Sequence, residues 1–540
     1  MKQRLLPYFD ILLIVLFAII PLWSTFPYRV NIFLSWEGAY RLSEGQTAFQ
    51  DFGLPMGYMY WVVPAAFFKL FGPGLLTLVK AQAFINILAG LAFRSILKSF
   101  DLPAGLRFVS VLLFCISYSF FNFWPWYNHT VIVYQLVAFA FLFKGLFATR
   151  PRLQQVWLLL AGAMLFVSFF TKQDGGGLAI LIALVLTLSY SVLQRRLQIW
   201  LPLLGGFAIT AVAILWPLRG TEFSYWFNHG QPPHNSRLSA FDIVDEFFVA
   251  SQWIKVYLLL IALLMAQQVA NWRSFRQQPK AVLHLLLTLG ILAEASIFQV
   301  TSYTPPDNNI FFHSFAVSYL LYQLSQRLPD IQFSRPRVVV FCSLGILLWW
   351  SGNYWKYANR IIDRIRPKTE GIAAAAVGKN TYTNKVDTLD VPMSKWTFSK
   401  RKGFEGIYMP PSTVAGIERL FEMPAIANSA APRKVLNLTE LTPLRLELQN
   451  EMEKGPQTPL WHHRGVAMFD RETKQYTDKI SKQYYDVVLF EYMPELNNFF
   501  PFEIRDSLLV HYQLVDSFHA PRRPTHEWIE VFARKTNPAR

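Results

Sequence analysis

Long apolar runs are the feature of this sequence that most restricts its fold. Runs of about 16 to 22 residues recur up to roughly residue 355. A helix of that length, rising 1.5 Å per residue, crosses the hydrocarbon of a bilayer, which is about 30 Å thick. After Trp355 the sequence becomes mixed and polar. The pattern predicts a polytopic α-helical membrane domain over residues 1–355 and a soluble domain over residues 356–540.

We expect eleven transmembrane helices, with one apolar stretch left out of the count. Residues 57–71 contain Pro64, Lys69 and many aromatic side chains, as a helix that lies flat in the membrane interface does. Lys2 and Arg4 precede a first span without a small-residue cleavage site, so an uncleaved first helix is expected. The expected spans are 9–26, 76–97, 106–122, 130–147, 155–171, 176–193, 199–217, 253–271, 281–299, 310–326 and 338–355.

Basic residues sort onto one side of the membrane when residues 57–71 do not span it. One side then carries sixteen Lys and Arg residues in its loops and the other carries six. If that stretch spanned, every later loop would change sides and the bias would collapse. The positive-inside rule therefore predicts a cytoplasmic N-terminus and an extracytoplasmic C-terminal domain. It also explains the formal charge of +16 better than a nucleic-acid partner does.

The soluble domain shows alternating strand and helix patterns. The expected helices are residues 444–452 and 477–485, between the predicted strands. The domain contains no glycine-rich phosphate fingerprint. No disulfide framework is expected either, because the two cysteines, Cys115 and Cys342, both fall in apolar spans. The domain is therefore expected to be an α/β sandwich that caps or shapes a membrane site. Its predicted strands are 435–438, 486–492, 512–515 and 528–532.

Carboxylates are scarce in the membrane part, yet Glu37, Glu44 and Asp51 lie together in the first external loop, residues 27–75. A carboxylate at a membrane surface is costly unless it has a task. Glu37 is the candidate general base, with Trp36 and Tyr40 beside it as sugar contacts; the alternative is a plain ion pair with a neighbouring arginine. Asp51 is a candidate second acid that orients an acceptor or holds a cation, or it simply forms a turn.

Two other external segments carry candidate binding residues. Lys172 ends a span and is followed by Gln173, Asp174 and three glycines, a combination suited to a phosphate, although lysines at helix ends also snorkel to the interface. The segment after Phe123 is rich in aromatic residues followed by polar ones. Its rings could stack on a sugar while its polar groups bind the sugar hydroxyls, or it could be an aromatic belt at the membrane interface. Its candidates are Trp126, Tyr127, Asn128 and His129.

The segment from residue 35 to residue 72 resembles the first external loop of the GT-C superfamily of membrane glycosyltransferases. The likeness is greatest to the bacterial members related to family 39 and to the aminoarabinose-transferase type, whose architecture also has about eleven spans and an external α/β tail. The matching features are Glu37 with Tyr40, Gly45, Gln50-Asp51-Phe52, Pro55, and an amphipathic helix that ends at Leu70-Phe71-Gly72.

The resemblance implies transfer of a sugar, with inversion, from a polyprenyl-phosphate carrier to the hydroxyl of a glycan, lipid or protein acceptor. The reaction would take place at the outer face of a bacterial inner membrane, within membrane lipid. Glu37 corresponds to the loop acid of the family, and Lys172, Arg219 and Arg237 would stabilise the leaving phosphate.

The sequence departs from the family at two positions. Gly38 follows Glu37 where the family frequently has a second acid, which argues against a paired-acid metal site. No metal ligands are therefore assigned, and the need for a divalent cation (Mg²⁺ or Mn²⁺) is left open. Leu54-Pro55-Met56-Gly57 lacks the lysine of the corresponding family segment, so Lys172 is expected to replace that phosphate contact.

A transporter or flippase of a lipid-linked glycan is the alternative function, and a non-catalytic assembly subunit is a third. Transporters usually show internal repeats, broken helices and charges in mid-membrane. Here only Glu294 lies inside a predicted span, and the external loop and large tail favour the enzyme.

Overall fold

The structure of the protein is a computed structural model. It describes residues 2–29, 31–119, 122–227, 239–302, 311–328, 330–355, 358, 362, 390–427, 433–448, 451–494 and 499–535.

The first part of the chain is a bundle of apolar helices, as the long hydrophobic runs predict. Its helices are α1 (Lys2–Ile19), α2 (Ile32–Ser43), α3 (Met59–Phe71), α4 (Leu75–Ser99), α5 (Ala104–Phe114), α6 (Tyr127–Leu146), α7 (Pro151–Thr171), α8 (Gln173–Gln194), α9 (Trp200–Leu215), α10 (Ala240–Val249), α11 (Gln252–Ala270), α12 (Trp272–Phe275), α13 (Pro279–Ser302), α14 (Phe311–Arg327) and α15 (Pro336–Trp349).

Among the described residues, six helical segments are long and apolar enough to cross a membrane, or seven when α10 and α11, bent by 76° at a short break, are counted as one span. Shorter apolar helices at Tyr8–Trp23, Ala104–Tyr118 and Pro336–Trp349 coincide with three further predicted spans. The polytopic helical architecture is thus confirmed, whereas the number of eleven spans stays a prediction.

Helix α3 occupies the stretch that we expect to lie flat in the interface. Its 13 residues rise about 20 Å, less than the hydrocarbon thickness of about 30 Å. One face is buried against α2, where the Trp61 indole donates a hydrogen bond of 2.9 Å to the carbonyl of Leu34. Leu70 and Phe71 are exposed on the other side. This division of faces is what an interfacial helix requires.

Gly38 owes its identity to the contact between α2 and α3. A Cβ atom at this position would lie 2.4 Å from the indole of Trp61, closer than any side chain tolerates. The absence of a second acid after Glu37 therefore has a steric cause, because any side chain there would separate the two helices.

Helix α1 contacts the bundle at its middle and the C-terminal region beyond its end. In the middle of α1, the buried Asp10 carboxylate pairs at 2.9 Å with Arg94 of α4 and at 2.6 Å with Arg107 of α5. Just beyond its end, residues Phe26–Pro27 form strand β1, which joins a strand of the C-terminal region. The N-terminal end of α1 and the C-terminal region thus lie at opposite ends of this helix.

The C-terminal region is an α/β unit with two small sheets. Its strands are β2 (Thr397–Phe398), β3 (Ile407–Met409), β4 (Val435–Leu438), β5 (Val487–Tyr492), β6 (Tyr512–His519) and β7 (Trp528–Arg534), and its helices are α16 (Pro411–Glu422), α17 (Pro424–Ala427), α18 (Arg445–Leu448), α19 (Phe469–Ser481) and α20 (Phe502–His511). Four strands follow the order β4-β5-β7-β6, with β4 and β5 parallel and the other pairs antiparallel, and three follow the order β1-β3-β2.

Strand β5 is apolar throughout because both of its faces are covered. Val487 and Leu489 belong to the core cluster shared with α16 and the first external loop. The alternate residues Val488 and Phe490 pack into a second core with α19 and α20. A two-sided burial of this kind explains the continuous hydrophobic run that predicts the strand.

The C-terminal region is joined to the first external loop by backbone hydrogen bonds. The amide of Tyr28 donates to the carbonyl of Tyr408 at 3.0 Å, which continues the pairing of β1 with β3. The amide of Gly53 donates to the carbonyl of Thr458 at 2.8 Å, and the amide of Leu460 returns a bond of 2.9 Å to Gly53. These bonds hold the C-terminal region over α2.

Candidate active site

Helix α2 presents the candidate base on the face that looks toward the C-terminal region. Phe33, Glu37 and Arg41 are spaced by four residues, so they share one side of the helix. The opposite side packs into the core through Ile32, Trp36 and other apolar residues. The helix thus buries its apolar side and directs the Glu37 carboxylate and the Arg41 guanidinium toward the C-terminal region.

Glu37 lies between two guanidinium groups. Its Oε1 atom is 2.8 Å from Nε of Arg41 and 3.5 Å from Nη1 of Arg445, which begins α18. The Glu37 side chain is 4% exposed and that of Arg445 is 15% exposed. The Oε2 atom is buried and accepts no hydrogen bond from any described residue. We call Glu37, Arg41 and Arg445 the Glu37 group.

The surroundings of the Glu37 group fix the orientation of Arg41. Nη1 of Arg41 donates to Oε1 of Gln46 at 3.0 Å and to the carbonyl of Glu453 at 3.1 Å. Burial lowers the pKa of the Arg445 guanidinium, and the nearby Glu37 carboxylate opposes that shift. One oxygen of Glu37 is therefore held by cations, while the other is left for a further partner.

A cavity of about 240 Å³ lies beside the Glu37 group. One wall is the Phe33, Glu37 and Arg41 face of α2, and another is the carboxyl end of β4 with the residues that follow it. Because β4 and β5 are parallel, their carboxyl ends border the kind of crevice in which α/β sheets bind ligands. The remaining lining residues are Asn31, Thr442, Arg445, Glu453, Thr458–His462, Tyr476, Phe499 and Phe500. We call this space the site cavity.

A second buried charge cluster joins the C-terminal region to the chain before α2. Nη2 of Arg522 lies 2.6 Å from Glu491, and Nε of Arg522 lies 3.3 Å from Glu440. The hydroxyl of Tyr28 donates to the carbonyl of Glu440. Burial, aided by Glu491 and opposed by Arg522, raises the pKa of Glu440 to about 8. We call Arg522, Glu440 and Glu491 the Arg522 group.

The predicted phosphate cation, Lys172, lies between α7 and α8. Its Nζ atom is 2.8 Å from Oδ2 of Asp174 and 5.8 Å from the ring centre of Tyr127. The other Asp174 oxygen accepts the amide of Gly175 at 2.7 Å, and the Gln173 amide donates to the carbonyl of Trp226 at 2.8 Å. The structure thus places Tyr127, which comes from the other predicted segment, beside Lys172 and Asp174, while Gln173 bonds to Trp226.

Serine 35 connects α2 to the aromatic segment before α6. The Ser35 hydroxyl donates to the carbonyl of Pro125 at 2.5 Å and accepts the hydroxyl of Tyr60 at 2.9 Å. Tyr60 in turn lies 6.1 Å from Tyr127, ring centre to ring centre, and Trp126 lies 4.4 Å from Tyr127. Lys172, which lies beside Tyr127, and the helix that carries Glu37 are therefore linked through packed aromatic rings.

The remaining aromatic and polar candidates have structural contacts of their own. Trp36 stacks on Tyr40 at 4.6 Å, and its indole donates to the carbonyl of Pro73 at 2.6 Å. Asn128 is buried, and the carbonyl of His129 accepts the hydroxyl of Tyr118 at 2.7 Å. These contacts position the segment but do not by themselves select a ligand.

Among the described residues, Glu37 is the one predicted site residue that lines the site cavity, and the others lie away from it. Oδ2 of Asp51 accepts the amide of Thr47 at 2.7 Å, so this carboxylate closes the turn that the sequence offers as its alternative role. Arg219 is exposed and lies over the ring of Trp216 at 4.3 Å. Arg237 lies outside the described residues. Within the described ranges, no three His, Cys, Asp or Glu side chains form a group that could hold a metal ion.

Arg445, Thr442 and Glu440 are site residues that sequence reasoning missed. They belong to the C-terminal region, and each reaches the site cavity only because that region folds back over α2. Arg445 falls in the predicted helix 444–452, but nothing in its local pattern indicates a partner in the first external loop. Only a contact between distant parts of the chain could have revealed it.

Comparisons with known proteins give similarities of overall arrangement. No protein-family profile and no curated protein sequence matches the chain. The structure is similar to that of ArnT from Cupriavidus metallidurans, bound to undecaprenyl phosphate, with 13% identity, coverage of 97% of each chain and a TM-score of 0.48. It is also similar to the arabinofuranosyltransferase AftD from Mycobacteria, with 12% identity, a TM-score of 0.48, and coverage of 99% of this chain and 40% of that one.

A third similarity is to the oligosaccharyltransferase from Archaeoglobus fulgidus, with 12% identity, a TM-score of 0.38, and coverage of 63% of this chain and 51% of that one. All of these similarities lie below 15% identity and below a TM-score of 0.5. At these values the similarities assign no function to this chain.

Proposed function

We propose that the protein is a membrane glycosyltransferase that moves a sugar from a polyprenyl-phosphate carrier to an acceptor hydroxyl at the extracytoplasmic face. The observation that carries the proposal is the Glu37 group beside the site cavity. One Glu37 oxygen is fixed by Arg41 and Arg445, and the other is a buried acceptor without a partner among the described residues. A carboxylate oriented in this way is suited to take a proton from a bound hydroxyl.

The reaction is a single displacement with inversion. The acceptor oxygen attacks the anomeric carbon while Oε2 of Glu37 takes the hydroxyl proton. The bond from the anomeric carbon to the phosphate oxygen breaks, and its electron pair leaves with the polyprenyl phosphate. Arg41 and Arg445 compensate the charge of Glu37 before the transfer and hold the carboxyl in place afterwards. Neither a nucleotide nor a covalent enzyme intermediate is required.

Lys172 is the proposed contact for the donor phosphate. Its ammonium already has an anionic partner in Asp174, at 2.8 Å. A lipid phosphate at the membrane surface would share the lysine with Asp174 or displace that carboxylate. Tyr127, packed beside Lys172, offers its ring to the sugar or to the first part of the carrier. Arg219 and Arg237 stay secondary candidates for the same phosphate, and Asp51 for a supporting acid.

The proposed side of the membrane follows from sequence and architecture together. The excess of basic residues in one set of loops predicts a cytoplasmic N-terminus. The C-terminal region lies at the other end of α1 and covers the first external loop. The site cavity is then at the outer surface, where a carrier lipid presents its phosphate while its tail stays in hydrocarbon.

Transfer from radiolabelled polyprenyl-phosphate sugars, measured with the purified full-length protein and a panel of glycan, lipid and protein acceptors, tests this function. The wild type should transfer label and Glu37→Gln should transfer at least about 100-fold more slowly. Glu44→Gln, at the exposed end of the same helix, is the matched control and should be unaffected. Parallel assays with Mg²⁺, Mn²⁺ and a chelator determine the divalent-cation requirement.

Two results would overturn the proposal. One is undiminished transfer by a well-folded Glu37→Gln variant, which would remove the assigned base. The other is wild-type protein in vesicles that moves the labelled carrier lipid across the bilayer but transfers no sugar with any donor, which would favour the flippase.

A further inference from the structure

Polar atoms without partners converge on the wall of the site cavity. Among the described residues, no hydrogen bond reaches Oε2 of Glu37, Oγ1 of Thr442 or Nη1 of Arg445, and all three atoms are buried. The Arg445 atom has only its 3.5 Å ion-pair contact with Glu37. Buried polar groups in folded proteins are normally hydrogen-bonded. A carboxylate oxygen, a hydroxyl and a guanidinium at one cavity therefore call for a ligand that both donates and accepts.

The charges around the site cavity are already nearly balanced. Glu37 is compensated by Arg41 and Arg445, and Glu440 by Arg522. A third carboxylate, that of Glu453, lies 2.8 Å from Lys479. A phosphate would meet these carboxylates in the same cavity, and a cationic ligand would meet the arginines. The electrostatics consequently favour a neutral, polar ligand.

Aromatic side chains supply the rest of the lining. Phe33, Trp461, Tyr476, Phe499 and Phe500 border the cavity. At about 240 Å³ it is smaller than the roughly 300 Å³ at which pockets for drug-sized ligands begin. Aromatic surface combined with a few placed donors and acceptors suits a ring with apolar faces and hydroxyl edges. An acyl chain would leave the polar atoms unpaired, and a folded peptide would not fit.

We propose that the site cavity binds a neutral saccharide unit and that this unit carries the acceptor hydroxyl. One sugar hydroxyl donates to Oε2 of Glu37, another bonds to Oγ1 of Thr442, and Nη1 of Arg445 donates to a third oxygen. The C-terminal region thus forms half of the acceptor site and commits the acceptor to the glycan class. The assignment of this saccharide as acceptor rests on the proposed function, whereas its binding does not.

Donor-free binding to the full-length protein tests the proposal without catalysis. The probes are neutral trisaccharides of glucose, galactose, mannose and arabinose, with inorganic phosphate as an anionic comparison, each measured by saturation-transfer NMR and calorimetry. At least one trisaccharide should bind with a saturable, 1:1 isotherm, and phosphate should not compete. Thr442→Val should weaken that binding about tenfold, because it removes one hydrogen bond of roughly 1.4 kcal/mol at constant volume.

Matched variants separate a lost contact from a disturbed fold. Thr442→Ser keeps the hydroxyl and should retain wild-type affinity. Thr477→Val changes a threonine on α19 whose hydroxyl bonds to the carbonyl of Lys474, away from the cavity, and should also be neutral. No binding by any trisaccharide, or equal binding by wild type and Thr442→Val, would overturn the proposal.

Failure of this inference and failure of the proposed function give different results. If sugar is transferred only to lipid or protein acceptors, depends on Glu37 and is unchanged in Thr442→Val, the saccharide site is wrong and the transferase stands. If a trisaccharide binds through Thr442 but no donor gives transfer, the saccharide site stands and the transferase is wrong.

Discussion

Two buried charge clusters join the first external loop to the C-terminal region, and their compositions are opposite. The Glu37 group has one carboxylate between two guanidinium groups, beside a cavity. The Arg522 group has one guanidinium between two carboxylates, and its ion pairs of 2.6 and 3.3 Å are almost fully buried. Both lie where the C-terminal region meets the chain near α2.

The difference indicates that the Glu37 group acts in the reaction and that the Arg522 group stabilises the contact between the two regions. In the Glu37 group the carboxylate keeps an oxygen without a described partner, so the cluster has an acceptor to offer to a substrate. In the Arg522 group both carboxylates contact one guanidinium, so the arginine cannot be removed without leaving two acids buried together. We expect variants in the first group to change rate and variants in the second to change stability.

The largest stability effect is expected from Arg522→Met. Removal of the shared cation leaves Glu440 and Glu491 unpaired, which for buried pairs costs about 3–5 kcal/mol. The midpoint of thermal unfolding of the C-terminal region, followed by protease resistance of the full chain, should fall by several degrees. Arg523→Met, at the half-exposed neighbouring position, is the control and should leave the midpoint unchanged. Equal unfolding midpoints for both variants would refute the stabilising role of the Arg522 group.

A smaller effect, and one on rate, is expected from Arg445→Ala. Loss of this guanidinium frees one side of Glu37, so kcat should fall about 10- to 100-fold while the KM for the donor changes little. Arg445→Lys keeps the charge and should recover part of kcat. Arg464→Ala, which removes an exposed ion pair with Glu503, is the control. An increase in donor KM without a change in kcat would contradict a positioning role.

Lys172 should show a binding effect of about tenfold. Lys172→Ala is expected to raise the KM for the polyprenyl-phosphate donor, since a phosphate contact is lost. Asp174→Asn should lower that KM, because the variant weakens the 2.8 Å ion pair that competes with the donor. A donor KM that rises in one variant and falls in the other indicates phosphate binding by Lys172. If the ion pair were only structural, its loss would change the donor KM of both variants in the same direction. Lys69→Ala, on the exposed side of α3, serves as the control.

A further expected effect is a pH dependence of stability in the Arg522 group. Burial raises the pKa of Glu440 to about 8 in the folded protein, so between pH 4.5 and 8 the folded state holds a proton that the unfolded state releases. Stability from this group is present below pH 4.5 and is lost as the pH rises through 8. Glu440→Gln should flatten the fall of the unfolding midpoint between pH 5 and 8. The slope should not vanish, since burial also raises the pKa of Glu491.

If the unfolding midpoint fell with pH equally steeply in wild type and in Glu440→Gln, the assignment of this pH dependence to Glu440 would be wrong. Arg522, Glu491 and the hydroxyl of Tyr28 are the charged or titratable groups that act on this carboxyl, and Glu527 acts on Arg522. Glu503→Gln, at an exposed ion pair of the same region, keeps the buried Glu440 carboxyl and should show the wild-type slope.

Periodicity and hydropathy predicted the elements that depend on local sequence. The apolar run Val435–Leu438 is strand β4, and the predicted strand over 486–492 is β5 but for its first residue. The helix expected over 477–485 instead ends at Ser481 and begins at Phe469, because the amphipathic pattern that buries Tyr476 and Ile480 starts earlier in the chain.

Half of the candidate site was predictable in the same way and half was not. Glu37 is recognisable as a lone acid at a membrane surface, and its pairing with Arg41 follows from the spacing of four residues. The contact with Arg445 joins residues far apart in sequence, and the steric need for Gly38 depends on where Trp61 packs. Tertiary contacts of this kind leave no periodic signal in the chain.

The central claim is that Glu37 acts in the chemical step, and a single-turnover experiment tests it most directly. Protein loaded with radiolabelled polyprenyl-phosphate sugar is mixed with saturating acceptor, and donor binding is measured in the same samples. Glu37→Gln should bind donor as the wild type does and transfer at least about 100-fold more slowly, with Glu37→Asp between them. A Glu37→Gln variant that binds donor and transfers within twofold of the wild-type rate would contradict the account.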